Sequence, residues 1–215
     1  MIINILAGGP EELLPELADY KEENAIWVGV DRGVFHLLNR NIKPVIAFGD
    51  FDSVSQEELS LIESQVAELK RYKPEKNETD MELALNWAIE QKPSIIRMFG
   101  ATGGRLDHFL ANVHLLLVPL KAKNPAIVYL IDHQNIVFLK EPGSYTIEKM
   151  NSKKYISFLP LTLNVSDITL KGFKFPLKNQ HISLGSTLCI SNELISDYGT
   201  FSFSKGILIV IRSHD

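Results

Sequence analysis

Apolar residues recur along this chain in two rhythms. Up to residue 132, short apolar runs alternate with stretches whose apolar positions fall at helical spacing; beyond it, runs rich in Val, Ile, Thr, Phe and Tyr follow one another with no helical stretch between them. The first rhythm predicts strands at residues 2–6, 26–31, 45–48, 66–72, 94–100 and 126–132. Helices are predicted from Leu13, Leu14 and Leu17, from Val34, Leu37 and Leu38, from Leu59 and Ile62, and from Phe109, Val113 and Leu116. Two of the helix starts carry capping-box spacing, Ser55 with Glu58 and Thr79 with Glu82. Strands alternating with helices imply a doubly wound, mainly parallel sheet.

The second rhythm places strands at 136–139, 144–147, 155–159, 167–170, 173–177, 186–190, 200–203 and 207–211, punctuated by Gly, Pro and Asn. Such a series reads as an antiparallel sandwich or barrel, and a sandwich is the expectation. The fold class is therefore α/β plus all-β. The change of rhythm falls within 133–140 and divides the chain into an α/β domain, 1–135, and a β domain, 136–215.

Composition narrows the function classes. A chain of 215 residues is long enough for one large domain or two modest ones, each with a core of its own. Its formal charge of −4, with Lys and Glu interspersed, provides no basic stripe and argues against nucleic acid as a partner. The single cysteine, Cys189, excludes an internal disulfide and a cysteine-cluster zinc site, and suits a reducing cytoplasm. No basic leader and no run of about 18 apolar residues is present, so a soluble, cytoplasmic protein away from membranes is expected.

The candidate chemistry is acidic. Asp50 and Asp52 follow the apolar run 45–48, and if the backbone stays extended their side chains share one side, facing a hard cation or a phosphate-bearing ligand. The alternative, turn and cap chemistry, is weakened because Ser55 already caps the next helix. Asp31 is a third acid at a strand's carboxyl end, the edge where open α/β sheets bind ligands. Asp80 falls at the first helical position after Thr79, where pairing with the helix dipole, worth about 0.3–1 kcal/mol, competes with a metal role.

The stretch 101–108 carries Gly103, Gly104 and Arg105 ahead of a helix. Two glycines let successive amides converge on an anion, and Arg105 adds a fork of donors matched to phosphate oxygens. The competing reading is an ordinary turn with Asp107 as cap. Gly8 and Gly9 lack the dinucleotide fingerprint and read as a tight turn. Carboxylates of this kind suit magnesium, which keeps one or two of them and fills its other positions with water and phosphate oxygens, and the set points to phosphoryl or pyrophosphoryl transfer.

Three motifs in order, 49–53 (Gly-Asp-Phe-Asp-Ser), 79–80 (Thr-Asp) and 100–108 with Asn112, closely resemble those of the bacterial thiamine pyrophosphokinases. A late Ser191-Asn192-Glu193 ahead of the strand from Gly206 fits their carboxyl end, so the resemblance spans essentially the whole chain. It implies Mg2+-dependent transfer of pyrophosphate from ATP to the thiamine hydroxyl, giving thiamine diphosphate and AMP. It further implies a homodimer whose active site is completed at the subunit interface. Carried onto matching positions, Asp50, Asp52 and Asp80 would serve metal and catalysis, with Asp107 as a further catalytic candidate. Asp31, Arg32, Ser53, Thr79, Thr102, Gly103, Gly104, Arg105, His108 and Asn112 would line the ATP and phosphate site, and Ser191 and Asn192 the thiamine side. Asp80 and Asp107 both stand as acceptors of the alcohol's proton. Tyr198, Phe201 or Phe203 could offer an aromatic face to thiamine, against their reading as strand core. An aspartate-nucleophile phosphohydrolase and a nucleotide-sensing module are the rival classes.

Overall fold

The computed structural model describes residues 1–51, 55–66, 68–71 and 77–215. The chain divides into two units, Met1–His133 and Gln134–Asp215.

In the first unit the described residues form strands β1 (Ile2–Leu6), β2 (Ala25–Val30), β3 (Ile46–Gly49), β4 (Leu69–Arg71), β5 (Ile95–Phe99) and β6 (Ile127–Ile131). They lie in the order β4-β3-β2-β1-β5-β6, every adjacent pair parallel. β1 is apolar but for Asn4 and buried throughout, as a central parallel strand covered on both faces must be. Successive strands step outward from β1 to β4, and the chain then returns to β1's other side for β5 and β6. The order therefore reverses between β1 and β5, and the crevice outside their carboxyl ends is the topological switch point.

The helices are α1 (Gly33–Leu38), α2 (Gln56–Gln65), α3 (Asp80–Glu90), α4 (Leu106–Leu115) and the short α5 (Val118–Lys121). Adjacent residues of β3 face opposite ways. Ala47 joins a cluster with Val34, Leu38, Phe51, Ile62 and Val66 from the α1 and α2 side, whereas the Phe48 ring lies 6.2 Å from Trp87 of α3. Helices thus cover both faces, and the expected doubly wound sheet is the observed one. The α2 capping box forms in full: Ser55 Oγ accepts the Glu58 N–H at 3.2 Å, and the Ser55 N–H donates to Glu58 Oε2 at 2.8 Å. At α3, Thr79 Oγ1 accepts the Glu82 N–H at 3.2 Å.

The helix expected from Leu13, Leu14 and Leu17 is replaced by two single 3-10 turns, Glu11–Leu13 and Leu17–Tyr20. Leu14 between them is extended (φ −71°, ψ 137°) because it precedes Pro15, whose ring disfavours a helical conformation in the residue before it. Of the strand expected at 66–72, Ala67 and Tyr72 lie outside the described residues; Val66 ends α2 by donating its N–H to Ile62 O instead of opening a strand, and β4 begins at Leu69.

The second unit holds β7 (Asn135–Lys140), β8 (Gly143–Glu148), β9 (Tyr155–Pro160), β10 (Asn164–Lys171), β11 (Leu177–Ser183), β12 (Asn192–Glu193), β13 (Tyr198–Phe203) and β14 (Leu208–Ser213). They form antiparallel ladders in the orders β12-β9-β14-β7 and β11-β10-β13-β8. Phe158 of β9 packs against Phe201 of β13 with ring centroids 4.9 Å apart, so the two layers share one core, sandwich-like as expected. The strands expected at 173–177 and 186–190 are not the ones formed. β11 instead takes up the polar stretch Leu177–Ser183, an edge strand exposed along most of its length and held by backbone pairing to β10, which leaves no hydrophobic pattern to read. Among the described residues no helix is long and apolar enough to cross a membrane.

Candidate active site

The loops leaving β1, β2, β3 and β5 crowd the switch-point edge. The Ala7 N–H donates to Phe99 O at 2.9 Å and the Gly9 N–H to Gly100 O at 2.8 Å, so the loops after β1 and β5 run side by side. A Cβ on Gly9 would lie 2.4 Å from Gly100 O, and one on Gly100, where φ is +60°, would lie 2.3 Å from Ala7 O. Gly8 and Gly9 are thus the tight turn that was expected, and the closeness of the Gly100 backbone is what requires the second glycine.

Next along the edge, Asp31 closes β2 in a left-handed conformation (φ 48°) and donates its N–H to Phe48 O at 2.9 Å. Its carboxylate lies over the carboxyl end of β3, where a Cβ on Gly49 would come within 2.3 Å of Asp31 Oδ1. Asp50 follows, half-buried, between Gly49 and the anchored ring of Phe51, which is 4% exposed. Phe51 has φ 59° because its side chain turns down into the α1–α2 core. The chain is therefore not extended there, and the two-residue rule that would put Asp50 and Asp52 on one side does not apply. Asp52 and Ser53 lie outside the described residues.

Helices connecting parallel strands run antiparallel to them, so the amino ends of α3 and α4 sit at this same edge. Asp80 is the first residue of α3, as the spacing requires, with Thr79 as its N-cap. The β5 to α4 turn contains Gly103 and Gly104 in left-handed conformations (φ 74° and 63°). Asn112, buried on α4, donates Nδ2–H to Ala101 O at 2.9 Å and fixes the start of that turn. Thr102 is 7% exposed, and its Oγ1 is buried with no hydrogen-bond partner among the described residues. A buried hydroxyl without a partner costs on the order of 1–3 kcal/mol, a cost a bound ligand can offset.

Arg105 and Asp107 form an exposed bidentate pair, Nε–H to Oδ1 at 3.1 Å and Nη2–H to Oδ2 at 2.6 Å. Asp107 Oδ1 also accepts the His108 N–H at 2.9 Å, but the N-cap of α4 is Arg105 and Asp107 lies in the first turn, so Asp107 is not the cap; the His108 ring stays exposed. Arg105 foremost, then that backbone N–H, hold the Asp107 carboxyl down at about 2, against an ordinary value of 3.8. A carboxyl lowered in the folded chain stabilises it above its ordinary pKa and loses that contribution as pH falls through the lowered one. Carbon NMR of the Asp107 carboxyl should find it ionised at about pH 3, and Arg105→Ala should move its midpoint up toward the ordinary carboxylate range. An unmoved midpoint would mean that the pair is absent in solution.

Arg32, the N-cap of α1, lies beside Gly8 and reaches Glu58 Oε1 of α2 at 3.4 Å. Asp31, Arg32, Asp50, Thr79, Asp80 and the 102–105 turn are thus all carried to one edge of the first unit's sheet. Among the described residues no group of three His, Cys, Asp or Glu side chains is arranged to hold a metal ion. The donors available there are carboxylate oxygens, the class that a hard divalent cation takes one or two at a time.

Ser191 and Asn192 belong to the second unit. Ser191 is left-handed (φ 55°) and donates its N–H to Ser157 Oγ at 2.9 Å. The buried Asn192 amide bridges the Phe175 backbone, accepting its N–H at 3.0 Å and donating to its carbonyl at 2.8 Å. Of the aromatic candidates, Phe201 and Phe203 are core residues and Tyr198 is exposed.

Comparison with known proteins places this architecture. Residues 17–129 match the family model described as thiamin pyrophosphokinase, catalytic domain, and residues 144–208 match that of the vitamin B1 binding domain. The chain is 54% identical over 213 residues to thiamine pyrophosphokinase of Bacillus subtilis (strain 168), covering 99% of each chain. Crystal structures agree. That of the Bacillus subtilis thiamine pyrophosphokinase superposes with a TM-score of 0.95 at 51% identity over 100% of both chains. That of the Geobacillus thermodenitrificans enzyme gives 0.91 at 50% identity, over 100% of this chain and 98% of the other. The fold and these matches define an enzyme of the transferase class, a kinase. The chain belongs to the thiamine pyrophosphokinase family, and its activity is that of a thiamine pyrophosphokinase.

Proposed function

We propose that this enzyme moves the terminal pyrophosphoryl group of ATP to the hydroxyethyl oxygen of thiamine. The alcohol oxygen bonds to the β-phosphorus as the bond from the β-phosphorus to the α,β-bridging oxygen breaks; that oxygen leaves with AMP, and the hydroxyl proton passes to a carboxylate at this edge, Asp80 being the candidate. The observation that carries this reading is the glycine turn at the switch point, with its buried Thr102 hydroxyl, unpartnered among the described residues, and Arg105 at the start of α4. Phosphate oxygens would satisfy the Thr102 hydroxyl and the turn's amides, together with the Arg105 N–H groups that Asp107 does not take.

Asp50, Asp52 and Asp80 would hold Mg2+, whose charge offsets that of the phosphates. Asp31, beside Gly49, would extend the same acidic edge, and Arg32, Ser53, Thr79, His108 and Asn112 complete the nucleotide side. Asp107 is a poor proton acceptor, since a carboxyl held near 2 by Arg105 is a weak base at neutral pH. It serves better as the clamp that keeps Arg105 in place. Ser191 and Asn192 stand for the thiamine side, where Ser191 has its hydroxyl to offer and Asn192 holds the backbone at Phe175. Family membership supports a homodimer with the site completed at the subunit interface, and the single cysteine suits the cytoplasm.

Phosphorus NMR of the protein with ATP, magnesium and thiamine tests the reaction. AMP and thiamine diphosphate in equal amounts, requiring every component, is the expected result. Phosphate release without thiamine would favour a hydrolase instead.

A further inference from the structure

Far from the acids in sequence, a charged group ties the 3-10 turn after β1 to α1. Glu11 Oε2 accepts Arg40 Nη2–H at 2.8 Å, and its other oxygen lies 3.1 Å from Nδ1 of His36, a histidine only 4% exposed. Arg40 in turn donates Nη1–H to the backbone carbonyl of His36 at 3.0 Å, so Glu11, Arg40 and His36 close a ring on the end of α1 through that carbonyl. Arg40 holds the Glu11 carboxyl below its usual range, while burial keeps the His36 imidazole below its own. On the turn's other flank, Leu13 O accepts the His133 N–H at 2.8 Å.

What this anchored turn supports is the phosphate loop. A Cβ on Gly103 would lie 2.4 Å from Leu13 Cδ1 and 3.2 Å from Pro10 Cγ, so Pro10 and Leu13 form the surface on which Gly103 rests. Glu11 lies between them in sequence, and it faces α1 rather than the loop. An isolated exposed ion pair contributes little to stability. A ring joined to a buried imidazole, on a turn with one further anchor, can still fix position.

We propose that Glu11, through Arg40 and His36, is a positioning residue that sets the height of the Gly103-Gly104-Arg105 turn against the nucleotide's phosphates. The inference rests on the reading of that turn as the phosphate site. Displacing the turn weakens donors that are made to ATP in the ground state and transition state alike, so the effect falls on KM for ATP.

The test is steady-state kinetics of Glu11→Ala, Arg40→Ala, the double variant and Arg105→Ala, each confirmed as folded by circular dichroism, with Glu11→Gln as a milder change of the same group. Glu11→Ala and Arg40→Ala should each raise KM for ATP about fivefold with kcat within about twofold. The double variant should be no worse than either single, because both remove one linkage. KM for thiamine should stay constant. If Arg105→Ala raises KM for ATP while Glu11→Ala and Glu11→Gln leave it unchanged, the phosphate reading stands and the positioning role is overturned. If Arg105→Ala also changes nothing, the phosphate reading fails and takes this inference with it. A double variant whose KM is the product of the singles would likewise contradict a shared ring.

Discussion

Asp50→Asn should lower the turnover of thiamine by about 10²–10³-fold while the protein remains folded. The substitution keeps the shape of the side chain and removes its charge at the carboxyl end of β3, where Asp31 already brings one carboxylate against Gly49. Phe51 anchors the position from below by burying its ring between α1 and α2, and an amide at 50 leaves that packing intact. A ligand that carries several phosphate charges needs a cation to approach this edge, and removing one carboxylate weakens the cation's hold where charge builds in the transition state. Turnover measured at saturating ATP and thiamine, over a range of magnesium concentrations, checks the prediction. Wild-type turnover in a folded Asp50→Asn protein would remove Asp50 from the site.

Gly100→Ala should be strongly destabilising, far more so than a methyl added at Gly104. Two costs combine there. An alanine at φ +60° is strained by about 1–3 kcal/mol, and its Cβ would also lie 2.3 Å from the carbonyl oxygen of Ala7, a backbone atom that cannot swing aside. Together they should cost about 2–5 kcal/mol and lower Tm by about 10 °C. Gly104 supplies the control. Its φ is +63°, yet a Cβ there meets nothing within 4 Å, so Gly104→Ala bears the strain without the collision. Calorimetry of the two variants should rank Gly100→Ala well below Gly104→Ala. Equal losses would show that strain alone matters and that the loops after β1 and β5 are less closely apposed than described.

Much of this was legible from local rules. The alternation of runs gave the parallel sheet because buried parallel strands must be apolar along their length, and the Ser55 and Thr79 caps marked two helix starts by chemistry confined to four residues. The stretch 101–108 could be picked out for the same reason, since glycines and an arginine before a helix carry their meaning locally.

What escaped depends on partners distant in sequence. Glu11 meets Arg40 across 29 residues, and nothing around Glu11 foretells it. Gly9 is needed because Gly100 lies beside it, a fact of topology. Phe51 leaves the extended conformation to reach a core assembled from α1 and α2, which undid the two-residue argument for Asp50 and Asp52. β11 has no apolar face to advertise, its pairing being made by backbone alone. Leu14 is the exception, for Pro15 stood next to it and outweighed the spacing of the leucines.

The central claim is that a pyrophosphoryl group moves intact, and its most direct test is to follow labelled ATP. With label in both the β- and γ-phosphates, a single turnover with thiamine and magnesium should deliver both labels to thiamine diphosphate and leave AMP unlabelled. Label in ADP with a singly phosphorylated thiamine, or label released as inorganic phosphate without thiamine, would contradict the account.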